Sequence, residues 1–74
     1  MAIEWWYADF RQVTDETEYK RLFDLLDTLA GDCGGNVHRA GENKVFRCLL
    51  DAEENAALLR GLAQYLSRRP PETS

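Results

Sequence analysis

The chain has 74 residues, of which 45% are hydrophobic, and it carries a formal net charge of −4 at neutral pH. Its length indicates a single domain, and its hydrophobic content is typical of a globular protein and not of a disordered chain. No apolar run approaches the roughly 20 residues that a membrane-spanning helix needs, so we expect a soluble protein.

The negative charge is concentrated in the first half of the chain. Residues 1–34 carry eight acidic and three basic side chains, whereas residues 35–74 carry five acidic and six basic ones. An acidic half favours basic partners and disfavours nucleic acid and anionic membranes. The alternative interpretation is that this charge serves solubility alone.

Residues 3–10 are predicted to form the first strand, because aromatic and β-branched side chains dominate the segment. Side chains alternate along a strand, so Trp5 and Trp6 must point to opposite sides of the sheet. Only one of the two indole rings can enter a core on the helix side. The other ring is expected on the opposite face.

Residues 16–30 show the spacing of an amphipathic helix, with apolar residues at intervals of three and four. Asp15 precedes this segment as a candidate N-cap, and Glu18 follows it at the spacing of a capping box. Gly31 is expected to end the helix in a left-handed conformation.

A hairpin and a second helix complete the predicted elements. Strands near residues 36–40 and 44–50 flank a turn that contains Gly41. Residues 52–68 carry a second helical stripe, which begins after Asp51 and stops before two consecutive prolines.

The resulting order β-α-β-β-α predicts an α+β fold with a three-stranded sheet and two helices on one face. Short connections and a right-handed crossover favour strand 1 parallel to strand 3, with strand 2 at the far edge. This is a truncated ferredoxin-like arrangement that lacks its last strand. It leaves one sheet face and the outer edge of strand 1 uncovered. We expect one domain over residues 1–69 and a disordered tail over residues 70–74.

The side chains offer no pattern for catalysis, metal or a cofactor. Cys33, His38 and Cys48 lack the close pairing that a structural zinc site needs, and the two cysteines are expected to be free thiols. The glycine-rich segment 31–36 has no Lys of the kind that a P-loop requires. The sequence therefore predicts a non-enzymatic protein with no metal site and no cofactor.

Two surfaces are candidates for binding a partner. One is the acidic outer side of the first helix, and the other is the sheet face that the helices leave open. A Trp on that face would lie beside Arg47, and Trp and Arg are frequent anchor residues of protein interfaces. The predicted partner-binding residues are Glu16, Asp24, Asp27, Trp5, Trp6 and Arg47.

In its size and its net negative charge, the whole chain resembles the small acidic inhibitors encoded by phages, of which the anti-CRISPR proteins are the largest group. No motif is part of this resemblance, and no functional residue carries over from it. The resemblance implies an inhibitor whose partner is a CRISPR effector complex. Such an inhibitor would occupy a basic surface that otherwise binds nucleic acid.

Other functions remain open. The open sheet face is a candidate for single-stranded nucleic acid, through aromatic stacking and arginine contacts, although the net charge disfavours it. The chain is also a candidate regulatory subunit or adaptor of a bacterial enzyme. The uncovered edge of strand 1 adds a homodimer to the expected assemblies. Without an export signal or a membrane span, we expect the cytoplasm of a bacterium or of a phage-infected host cell.

Overall fold

A computed structural model describes residues 2–41 and 43–71. The fold of this part of the chain is α+β, as predicted. The elements are β1 (Ile3–Asp9), α1 (Glu16–Asp32), β2 (His38–Arg39), β3 (Val45–Asp51), α2 (Ala56–Leu59), a 3₁₀ turn (Arg60–Leu62) and β4 (Leu66–Ser67). Beyond Pro71, the predicted tail over residues 70–74 lies outside the described residues.

The strands form one antiparallel sheet in the order β2-β3-β1-β4. β1 lies inside the sheet, with β3 along one edge, where Trp5 is opposite Leu49, and β4 along the other, where Tyr7 is opposite Ser67. The prediction of three strands, with strand 1 parallel to strand 3 and free at its outer edge, is therefore wrong. The hairpin inserts β3 between β2 and β1, so the crossover through α1 leaves β1 parallel to β2 instead.

The start of α1 follows the predicted N-cap. The carboxylate of Asp15 accepts hydrogen bonds from the backbone N–H groups of Thr17 and Glu18 at 2.8 and 3.3 Å. These bonds satisfy two donors that have no partner within the first turn of a helix. The predicted beginning at residue 16 is confirmed.

The end of α1 lies two residues beyond the prediction. Gly34, and not Gly31, takes the left-handed conformation, with φ of +75°. The N–H of Gly34 bonds to the carbonyl of Gly31 at 2.9 Å, and the N–H of Gly35 bonds to that of Ala30 at 3.2 Å. This is the paired bonding of a Schellman motif, which the glycine-rich segment permits at more than one position.

The core lies between α1 and one face of the sheet. Its fully buried large side chains come from both layers. Burial of each of these side chains away from water contributes about 1.5–3 kcal/mol. The residues that meet there are Phe10, Leu22, Leu26, Leu29, Cys48, Leu50 and Leu62. The predicted alternation along β3, with Cys48 and Leu50 towards the helix, is confirmed.

The predicted hairpin is present, although β2 is two residues long where residues 36–40 were expected. The N–H of Ala40 bonds to the carbonyl of Val45 at 3.0 Å and closes the turn. Gly41 has φ of +96° and Lys44 has φ of +65°. A glycine meets the first requirement without strain, whereas the left-handed Lys44 is uncommon for a residue with a side chain.

The predicted helix over residues 52–68 is mostly absent. Only Ala56–Leu59 is α-helical, and β4 occupies the end of the segment. Gly61 weakens a continuous helix by about 1 kcal/mol relative to alanine. The second edge of β1 also needs partners for its backbone, and the N–H of Asp9 donates to the carbonyl of Tyr65 at 2.9 Å. Closing the sheet therefore prevails over the local helical pattern.

Asp51 ends β3 and begins the turn that follows. Its side chain is buried, with only 3% of the residue exposed, and it accepts the N–H groups of Glu54 and Glu53 at 3.0 and 3.1 Å. The bond from Glu54, with smaller contributions from Glu53 and Ala2, holds the pKa of Asp51 below its usual value of 3.8.

This geometry predicts acid sensitivity. Because the folded state lowers the pKa of Asp51, its charged form stabilises the fold above the ordinary pKa, and that stabilisation is lost as pH falls. We expect the free energy of unfolding, measured by urea titration, to decline below about pH 4. Asp51→Asn should be less stable at neutral pH and should show a weaker decline. Asp27→Asn, at an exposed position, is the control and should decline like the wild type. An equal decline in Asp51→Asn would refute this role.

Candidate functional site: two opposite surfaces

The open sheet face is the side of the sheet that α1 does not cover. It is formed by Ile3, Trp5, Tyr7, His38, Arg47 and Leu49. The strand register places these residues side by side, since Trp5 is opposite Leu49, Tyr7 is opposite Arg47, and Arg47 is opposite His38. Arg47 is exposed between two aromatic neighbours, as the sequence predicts for an outward position on β3.

Trp5 is the centre of the open sheet face, with 45% of the residue exposed. The guanidinium carbon of Arg47 lies 5.2 Å from the centroid of the Trp5 ring, and the centroid of the His38 ring lies 6.3 Å away. A cation–π contact at an exposed site contributes about 0.5–1 kcal/mol. The indole is therefore held against Arg47 on the adjacent strand β3 and His38 on the next strand β2, while keeping a large accessible area.

Trp6 points to the helix side of the sheet and is partly buried against the core. The guanidinium of Arg68 lies 5.2 Å from the centroid of its ring, and the same arginine forms an ion pair with Glu4. The Nε1 of Trp6 is buried without a hydrogen-bond partner among residues 2–41 and 43–71. Of the two tryptophans, only Trp5 is thus placed to meet a partner on the open sheet face.

The acidic helix face is formed by Glu16, Asp24 and Asp27 on the exposed side of α1. In the part of the chain that the structure describes, none of these three carboxylates has an ion-pair partner. Glu18 on the same helix differs, because it pairs with Arg21 one turn later. The acidic helix face therefore presents charges that the fold itself does not use.

Acidic residues on β1 are neutralised by arginines. The carboxylate of Asp9 accepts from the Nε and the terminal nitrogen of Arg11 at 2.9 and 2.7 Å. That side-chain bond, against a smaller opposing effect of burial, lowers the pKa of Asp9. Glu4 forms an ion pair with a terminal nitrogen of Arg68, whose Nε donates to the carbonyl of Trp5 at 3.0 Å. Among the described residues, the unpaired carboxylates of Glu16, Asp24 and Asp27 therefore lie on the helix side of the molecule.

The two candidate surfaces lie on opposite sides of the domain. α1 packs its buried stripe, which includes Leu22 and Leu26, against one face of the sheet. Its acidic helix face points away from the sheet, and the open sheet face lies on the sheet's other side. The six predicted binding residues are thus divided, and one flat partner surface cannot contact Trp5 and Asp24 together.

The cysteines show no sign of a reactive pair. Both are free, with Cys33 partly exposed and Cys48 buried. Burial, with a smaller effect of Cys33, raises the pKa of Cys48 to about 12, so this thiol stays protonated at neutral pH. Among the described residues, no group of three His, Cys, Asp or Glu side chains could hold a metal ion.

Two features escaped the sequence prediction. His38 lies beside Trp5, which the two-residue alternation along β2 and β3 could have indicated. A polar cleft of about 490 Å³ lies between Ile3, Cys33 and Asp51. It is built from the ends of three elements that are distant in sequence, so no local signal could have revealed it.

Comparisons with protein-family models, with curated proteins and with solved structures found no match to the chain. No helix within the described ranges is long and apolar enough to cross a membrane. The assignment of a function therefore depends on the geometry and charge of the two surfaces.

The two tryptophans should differ sharply when truncated. Trp6→Ala removes a ring packed against the core and should lower the free energy of unfolding by about 3 kcal/mol. Trp5→Ala removes an exposed ring and should cost less than about 1 kcal/mol. Chemical denaturation of both variants measures the difference. Equal destabilisation would show that both rings are core residues and that the open sheet face is wrongly assigned.

Proposed function

We propose that this chain is a small, non-enzymatic protein-binding module that covers a basic surface of another protein. The observation that carries the proposal is the set of three unpaired, exposed carboxylates on the acidic helix face. Exposed charges of this kind add little to stability. They do steer association towards a surface of opposite charge, and they favour the correct partner over like-charged ones.

A nucleic-acid-binding surface is the kind of target that fits best. Such surfaces are clusters of Lys and Arg that contact phosphates. From Glu16 to Asp27 the carboxylates extend over about 16 Å of the helix axis, at 1.5 Å per residue. Lys20 lies between Glu16 and Asp24 on this side of the helix, so the excess of negative charge is carried mainly by Asp24 and Asp27. Carboxylates on a rigid helix compete with a phosphate backbone for the same cations. The module would then act as an inhibitor, and an inhibitor of a CRISPR effector complex is the specific form that the resemblance of size and charge implies.

We also propose that the fold is a ferredoxin-like arrangement that includes its last strand, with α2 reduced to about one turn. The element order β-α-β-β-α-β supports this proposal. In such an arrangement the helices and the open sheet face are on opposite sides, which leaves the acidic helix face free to dock without obstruction from the sheet.

The proposal is tested with the variant Asp24→Asn, Asp27→Asn. Wild-type protein is immobilised and exposed to heparin-binding proteins of a bacterial extract, and, separately, to purified CRISPR effector complexes with their target DNA. We expect capture of a nucleic-acid-binding protein, displacement of its DNA in a mobility-shift assay, and weaker binding as salt rises. In the variant, association should be several-fold slower.

The matched control is Asn36→Lys, Gln64→Lys, which changes the net charge by the same amount at two exposed positions outside α1. It should bind like the wild type. If both double variants lose binding equally, net charge alone is responsible and the acidic helix face is not a docking surface. Capture of a protein that binds no nucleic acid would instead indicate an adaptor or a regulatory subunit. Salt-independent capture that neither variant changes would contradict the proposal.

A further inference from the structure

The open sheet face combines an exposed aromatic ring with a cation that no carboxylate neutralises. Trp5 is 45% exposed, and Arg47 contacts its ring without an ion-pair partner among the residues that the structure describes. The two carboxylates on the strands of this face are both engaged. Asp9 is held by Arg11 at 2.7 Å, and Asp51 is buried against backbone N–H groups.

We propose that the open sheet face binds single-stranded nucleic acid, a second activity that is independent of the acidic helix face. The accessible area of Trp5 stacks on a base, and Arg47 contacts the neighbouring phosphate. His38, whose ring lies 6.3 Å from that of Trp5, extends the aromatic platform across the sheet. Stacking of this kind accepts any base, because every base has a π-face.

The chemistry of the face favours nucleic acid over the other occupants. Covering Arg47 without supplying an anion would bury an unpaired charge, which is costly. A second copy of the chain brings an identical Arg47 and no free carboxylate on this face. It therefore supplies no anion to pair with Arg47. A phosphate supplies the anion while the attached base supplies the stacking partner. One ligand thus satisfies both Trp5 and Arg47.

The net charge of −4 does not oppose this binding strongly. The unpaired carboxylates of Glu16, Asp24 and Asp27 lie on the far side of the sheet. The shortest extent of the domain is 19 Å, which exceeds the screening length of about 8 Å at physiological salt. A single-stranded nucleic acid bound on the open sheet face therefore interacts more strongly with Arg47 and His38 than with the acidic side chains of α1.

The acidic surroundings of Ile3 limit the length of the site. Ile3 borders the polar cleft that Asp32 and Glu54 line, and these carboxylates repel a phosphate backbone. The usable platform is therefore the half of the face around Trp5, Arg47 and His38. It accommodates a few nucleotides at most, which implies weak binding and little preference among sequences.

The test is a titration of the ¹⁵N-labelled full chain with an octamer of thymidylate, followed by NMR. We expect the indole N–H signal of Trp5 to shift and that of Trp6 to keep its chemical shift. Trp5→Ala should weaken binding at least about fivefold, the lower limit for the loss of one stacked base. Arg47→Gln should weaken binding and reduce the slope of log affinity against log salt by about one.

Two controls separate stacking from general attraction to a polyanion. An abasic octamer with the same number of phosphates should bind much more weakly than the thymidylate octamer. Leu58→Ala removes an apolar side chain that is 52% exposed outside the open sheet face, and it should leave the affinity unchanged. The double variant Asp24→Asn, Asp27→Asn should also bind the octamer with unchanged affinity. Nucleic-acid binding by the open sheet face and docking by the acidic helix face can therefore be refuted independently.

Several outcomes overturn the proposal. Absence of shifts at millimolar octamer, equal binding of the abasic octamer, or unchanged affinity of Trp5→Ala would each do so. Shifts of the Trp5 indole that depend on protein concentration without the octamer would show that a second copy of the chain covers the face. Shifts with an oligoglutamate peptide but not with the octamer would assign the face to an acidic protein.

Discussion

The pairing of β1 along both of its edges is the constraint on which the rest of the structure depends. β3 occupies one edge over the whole length of β1, and the short β4 occupies the other. With β1 held in this way, the alternation of its side chains decides the role of each tryptophan. Trp6 is held on the helix side with the core, and Trp5 is left on the open sheet face. The separation of the two candidate surfaces follows from the same alternation.

Local signals predicted the helix and strands in the first two thirds of the chain, although not how the strands pair. The N-cap at Asp15, the helical spacing after it and the alternation in β3 act over a few residues, and the structure follows them. The region after Asp51 did not follow its local pattern, which favours a helix over residues 52–68. The decision comes from the unpaired edge of β1, more than fifty residues away, and only Gly61 hinted at it locally.

The residues of the candidate surfaces could be predicted from the sequence, but the positions of the two surfaces relative to each other could not. Helical spacing is enough to put Glu16, Asp24 and Asp27 on the exposed side of α1. The sequence shows that Trp5 and Trp6 point to opposite faces of the sheet. Because both faces carry apolar residues, the sequence does not show which tryptophan is exposed. Their separation from the acidic helix face depends on how α1 packs on the sheet, which is a long-range property. Because of that separation, the two predicted surfaces are independent of each other and differ in charge.

The most direct test of the central role of β1 is a measurement of its pairing with β4 by NMR in solution. We expect cross-strand nuclear Overhauser effects between Tyr7 and Ser67, and slow hydrogen exchange of the Asp9 amide, which donates to the carbonyl of Tyr65 at 2.9 Å. Nuclear Overhauser effects typical of a continuous helix over residues 52–68, together with rapid hydrogen exchange of the Asp9 amide, would contradict the pairing of β1 with β4. In that case the outer edge of β1 would be free, and the assignment of the two faces would have to be redrawn.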